Sequence, residues 1–170
     1  IEAAVTALRA EPLGYTAALG TPALREAIAR FYADRYRIDI APERIAVTSG
    51  ASGAFLIAMG ALVDPGDEWL MPDPCYPCNR HFVRMFEGVA KTIASGPERH
   101  YQLDREDVAR HWSERTRGVM LASPSNPTGT VVPGRALEEI VAEVRARHGH
   151  TLVDEIYQGL RAGAASYLLK

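Results

Sequence analysis

Five short apolar runs alternate with longer segments of helical periodicity, and that alternation limits the fold more than any other feature of the sequence. The runs are "RIAVTSG", "EWLMP", "AKTIA", "GVMLA" and "TLVDE". Strands this short, separated by helical segments, need crossover connections, and crossovers set the strands parallel. The expected architecture is α/β, a mainly parallel sheet with helices on both faces. A chain of 170 residues, 47% hydrophobic and 24% charged, suits one such core and is too short for two.

The helical segments carry their own punctuation. In "TPALREAIARFYADRY", Thr21 is placed to cap and Pro22 takes the first helical position, where its missing N–H costs nothing. Leu24, Ala27, Ile28 and Phe31 follow the spacing of a stripe expected to be buried. "ASGAFLIAMGALVDPGD" carries Phe55, Met59 and Leu62 at helical spacing and stops at Pro65-Gly66. Further helices are expected near 77–87, 104–112 and 133–148. The last has Pro133 at its start, Leu137, Ile140, Val141 and Val144 on one face, and Gly149 behind it. A hinge within "RIDIAPER" divides an expected N-terminal helical segment, 1–40, from the sheet-bearing segment, 41–170.

Charge and composition remove several functional classes. A net charge of −2 gives no reason to expect nucleic acid or an anionic membrane surface as partner. No apolar run is long enough to span a bilayer, and the start, "IEAAVTALRAEPLGY", lacks the layout of a signal peptide. It also lacks an initiator methionine, as expected of a piece of a longer chain. Two cysteines do not make a disulfide framework, so a soluble cytoplasmic protein is the expectation.

Four stretches at the ends of the expected strands could carry chemistry. In "VTSGASGAF" a strand runs through small residues into a helix, whose free N–H groups would suit an anion; tight packing alone explains the same residues. It is neither a Walker A loop nor a dinucleotide fingerprint. In "PDPCYPCNR", Tyr76 on a stiff loop offers a flat face for a ring, or is a surface tyrosine. Cys75 and Cys78 form a C-x-x-C, the spacing that lowers a thiol pKa in redox proteins; the alternative is two incidental thiols. A zinc site is disfavoured, with no second pair or histidine cluster at ligand spacing, and no metal is expected. "SPSNPTGTVV" is a rigid, polar turn behind an apolar strand, either punctuation or a device that aims Asn126 at the sheet's carboxyl end. In "TLVDEIYQG", Asp154 closes an apolar strand and Tyr157 follows three residues later; a structural salt bridge is the plainer reading of that acid.

Taken together and in order, these stretches resemble the class I/II aminotransferases, the fold-type I enzymes that depend on pyridoxal phosphate. The resemblance runs from "GYTAALGTPALREAIA" through "VTSGASGAF", "LVDPGDEWLMPDPCYP" and "SPSNPTGT" to "VDEIYQG", all but the last ten or so residues. It implies that the sheet is part of that fold's large domain. It also implies that Ala51 and Ser52 hold the cofactor phosphate and that Tyr76 stacks on the pyridine ring. Asp154 would keep the ring nitrogen protonated, and Asn126 and Tyr157 would bond the phenolic oxygen. Tyr15 resembles the tyrosine that reaches the phosphate of the neighbouring subunit, which implies a homodimer. The substrates implied are an amino acid and a 2-oxo acid, in amino acid metabolism and biosynthesis.

One departure counts against activity. The family's Schiff-base lysine lies in a Ser-x-Ser-Lys-like context well beyond the "VDEIY" aspartate. This chain has only Lys91, upstream in an expected strand, and Lys170, its final residue behind "SYLL". Neither matches, so no catalytic residue is assigned, and the chain is expected to be inactive alone. The rivals are a carbon–sulfur lyase on the same scaffold, a non-catalytic binding module, and a thiol redox protein built on Cys75 and Cys78.

Overall fold

The computed structural model describes residues 1–10 and 14–160. The chain divides into two compact units, Ile1–Thr48 and Ser49–Lys170. No helix among the described residues is long and apolar enough to cross a membrane.

The first unit holds α1 (Glu2–Ala10) and α2 (Pro22–Tyr36). Thr21 caps α2 as expected, its hydroxyl accepting from the Leu24 N–H. The stripe on α2 is not buried: Leu24 is 46% and Phe31 55% exposed. A helix needs a second layer against which to bury its stripe, and the described residues of this unit form no sheet to supply one. Phe31 instead packs edge-on against Tyr32 and Tyr36. The expected strand "RIAVTSG" is also absent. Ile45 has extended dihedrals, but residues 45–48 pair with no strand among the described residues. An apolar β-branched run becomes a strand only where another backbone completes its ladder.

The second unit runs through α3 (Gly50–Leu62), β1 (Glu68–Asp73), α4 (Cys78–Arg84) and β2 (Val89–Ala94). It continues through α5 (Arg105–His111), β3 (Thr116–Ala122), α6 (Gly134–Ala146) and β4 (His150–Asp154). All pairings are parallel, in the order β2-β1-β3-β4. The four expected strands of this unit and its four helices are thus present. One detail differs at α6, where Pro133 is the cap and Gly134 the first helical residue. Asp73 pairs with Ala94, and Ala122 with Asp154, so the strands end together along one carboxyl edge.

Alternation along the strands sorts the core into two layers. Leu70, Val119 and Leu121 point to one face and pack with Val108 of α5 and Leu137, Ile140 and Val144 of α6. Trp69, Met71 and Met120 point to the other, against Phe55 and Met59 of α3 and Phe82 and Val83 of α4. Each such side chain contributes about 1.5–3 kcal/mol when fully buried. Helices therefore cover both faces. Gly118 in β3 is set by contact: a Cβ there would lie 2.5 Å from the His150 carbonyl oxygen and 2.6 Å from the Trp69 ring.

At the amino edge, Glu68 gathers polar partners. It accepts from Ser113 Oγ at 2.7 Å, Lys91 Nζ at 3.1 Å and Thr116 Oγ1 at 3.3 Å. The Ser113 bond, against the opposing effect of burial and with help from Lys91 and Thr116, holds its carboxyl below the usual range. Lys91 Nζ also donates to the His111 carbonyl at 2.8 Å.

Candidate functional site

At the carboxyl edge, the turn that follows β3 is closed by its own polar groups. The Ser125 N–H donates to the Thr130 carbonyl at 2.8 Å, and the Gly129 N–H to the Ser125 carbonyl at 2.7 Å. Gly129 adopts a φ of 69°, a conformation open to glycine at little cost. The Val132 N–H donates to Ser123 Oγ at 3.1 Å, across the base of the turn. Two of its peptide bonds, Ser123-Pro124 and Asn126-Pro127, are cis. Ser123 also ties this turn to the neighbouring strand, because its N–H donates to the Asp154 carbonyl at 2.9 Å.

Asn126, near the tip, lines an open cleft of about 450 Å³ together with Tyr157. Asp154 lines a second cleft, of about 300 Å³, with Ala51 from the first turn of α3. The Asp154 side chain is fixed by its own backbone: Oδ1 accepts from the Ile156 N–H at 3.0 Å. At the start of α3 the Ser49 side chain makes no capping bond. The first-turn N–H groups of a helix have no intrahelical acceptors, so Ala51 and Ser52 present donors here. Gly50 has a φ of 70°, and a Cβ on it would meet nothing within 4 Å.

Tyr76 lines neither cleft. Hydrogen bonding with the Cys78 side chain, followed by the charge of that group, pushes its phenol above the ordinary tyrosine range, and Tyr157 adds a smaller push. The structure pairs Asn126 with Tyr157 and Ala51 with Asp154. Tyr15 lies in the first unit, fully exposed. Lys170 lies outside the described residues, and Lys91 is engaged at the opposite edge of the sheet.

The C-x-x-C does not look like a redox pair. Cys75 is buried, and burial pushes its thiol up, outweighing Arg80, whereas a reactive thiol needs the opposite shift. Among the described residues no group of histidine, cysteine or acidic side chains could hold a metal ion. One participant has no signal in the sequence. Gln102, 4% exposed, reaches the Asn126 turn from the loop before α5, with Nε2 3.2 Å from the Ala122 carbonyl.

Comparison with known proteins identifies the family. The family described as aminotransferase class I and II matches residues 2–169. Valine–pyruvate aminotransferase of Mycobacterium tuberculosis is 40% identical over 158 residues, covering 93% of this chain and 40% of that protein. A probable aspartate/prephenate aminotransferase of Aquifex aeolicus is 33% identical, over 98% of this chain and 42% of its own length. The crystal structure of an aminotransferase from Mycobacterium tuberculosis superposes with a TM-score of 0.91 at 39% identity, covering 97% of this chain and 43% of that one. Aspartate aminotransferase from Thermus thermophilus with maleate gives 0.91 at 32% identity, over 98% and 44%. The chain thus spans about two fifths of the length of these relatives. With the family matched along nearly the whole sequence and the parallel sheet matched in space, this chain belongs to the class I and II aminotransferases.

Proposed function

We propose that this chain forms part of the cofactor-binding large domain of a pyridoxal-phosphate aminotransferase, which moves an amino group from an amino acid to a 2-oxo acid. Relatives named for valine with pyruvate and for aspartate with prephenate both align over this segment. Names with different substrates over one aligned segment support a role for this segment common to the family rather than one substrate. The observation that carries the reading is the arrangement at the carboxyl edge: Asp154 shares a cleft with the start of α3, and Asn126 shares one with Tyr157.

The donor set fits the cofactor. First-turn N–H groups at Ala51 and Ser52, with the Ser52 hydroxyl, suit a phosphate dianion at a helix start that the Ser49 side chain does not cap. The open space at Gly50 leaves the backbone approachable. When bound, pyridoxal phosphate supplies an electron sink for the bonds of a substrate's α-carbon. Asp154 would hold a proton on the ring nitrogen, Asn126 and Tyr157 would hydrogen-bond the phenolic oxygen, and Tyr76 would stack on the ring. Tyr15 reaches the phosphate of the other subunit in a homodimer. The free thiols Cys75 and Cys78 agree with a cytoplasmic setting.

Titrating the purified chain with pyridoxal phosphate tests this reading. We expect weak, reversible, saturable spectral change that borohydride does not lock to one residue. A charge-assisted hydrogen bond is worth roughly 1.5–3 kcal/mol, so Asp154→Ala should weaken binding by about tenfold or more. Absence of saturable binding, or unchanged affinity in Asp154→Ala, would remove the assignment. A stoichiometric reduced adduct at Lys170 would instead give that residue the lysine's role.

A further inference from the structure

Gln102 lies far in sequence from every expected site residue, yet its amide meets the Asn126 turn at both ends. Nε2 is 3.2 Å from the Ala122 carbonyl, where β3 enters the turn. It is also 3.4 Å from the Thr130 carbonyl and 3.2 Å from Thr130 Oγ1, where the chain leaves it. Three oxygens face this end of the side chain, so the amide must present its N–H donors to them. Its two hydrogens serve both arms of the turn, one for Ala122 and one shared at Thr130. Oε1 is buried and takes no bond from the described residues. The neighbouring Leu103 and Val132 belong to the packed core, which anchors the stem of this contact to the rigid sheet.

The Thr130 carbonyl accepts from the Ser125 N–H as well, one residue from Asn126. Gln102 therefore acts on a rung that closes the turn immediately before Asn126. Asn126 has a polar task only if its amide stays fixed over the cleft it shares with Tyr157.

We propose that Gln102 is a positioning residue that clamps both arms of the Ala122–Thr130 turn and so fixes Asn126 at the cofactor site. The claim rests on the cofactor reading above for its functional consequence, but not for the clamp itself.

The test uses the protein expressed from its complete gene, with Gln102→Met, Asn126→Ala and the double variant. Methionine keeps length and apolar volume while removing the donors. Amide hydrogen exchange at Ser125, Gly129 and Val132 should speed by about tenfold or more in Gln102→Met, while the amides of β1 and β2 stay as they were. Pyridoxal phosphate affinity should fall several-fold in Gln102→Met, and the double variant should bind no more weakly than Asn126→Ala alone, because Gln102 acts through Asn126. Gln102→Lys, which restores a donor of similar reach, should recover part of the loss. Unchanged exchange at the turn, or losses that simply multiply in the double variant, would overturn the proposal. Should Asn126→Ala leave affinity untouched, the cofactor reading fails, and the exchange result alone still decides whether Gln102 is the clamp.

Discussion

At the scale of the residue, polar groups at the two edges of the sheet have different surroundings. Glu68, at the amino edge, has its donors supplied by the chain itself, which is the mark of a structural acid. Its folded pKa is lowered, so its stabilising effect is fully present above the unfolded carboxylate pKa and is lost as pH falls through the folded value. Glu68→Gln should cost about 1–3 kcal/mol near pH 7 by urea denaturation, with the gap to the native chain narrowing below about pH 4. A gap independent of pH would show that the charge is not what Ser113 and Lys91 stabilise. Asp154, at the carboxyl edge, is bonded by the Ile156 N–H of its own turn. This contrast follows chain order, because an acid that closes an apolar strand stands where crossover sheets open. The place of Asp154 at the carboxyl end of its strand, and of Asn126 in the turn behind β3, was legible for that reason. Gln102 was not, because "YQLD" gives no sign that its second residue meets a turn 20 and 28 positions further on.

At the scale of the element, the pattern in the sequence was most reliable where burial lies within the same unit. α6 shows the helical period plainly, with Leu137, Ile140 and Val144 all at 1% exposure or less. "GVMLA" became β3 because β1 and β4 complete its ladder on both sides. "RIAVTSG" has the same chemistry, but no strand among the described residues lies beside it to complete a ladder, and no strand forms there. The stripe of α2 was legible as a period and not as a burial, since periodicity says which residues share a face and nothing about what covers it. Gly118 shows the reverse limit: a glycine inside a strand pattern marks close approach without naming the neighbour. Here the neighbours are a backbone oxygen and an indole, and the oxygen cannot rotate away. Gly118→Ala should destabilise by about 1–3 kcal/mol or more, measured as a lower denaturant midpoint. A neutral effect would mean that β3 and β4 can separate at no cost.

At the scale of the whole molecule, this chain is expected to bind cofactor without turning over substrate. Amino transfer requires one proton to leave the substrate's α-carbon and one to be returned, and a positioned acid–base group typically contributes 10²–10⁴-fold. The family assigns that task to a lysine beyond the "VDEIY" segment. Lys91 cannot replace it, because its ammonium is held by Glu68 and the His111 carbonyl at the amino edge, while the clefts open at the carboxyl edge. The electron sink and the groups that orient it would be in place without the base that uses them. Purified chain supplied with pyridoxal phosphate, several amino acids and 2-oxoglutarate should therefore show no more amino transfer than free cofactor does. The same assay with protein expressed from the complete gene is the positive control. Sustained turnover by the chain alone would mean that a base has been overlooked, and Lys170→Ala would then identify or clear the one remaining lysine.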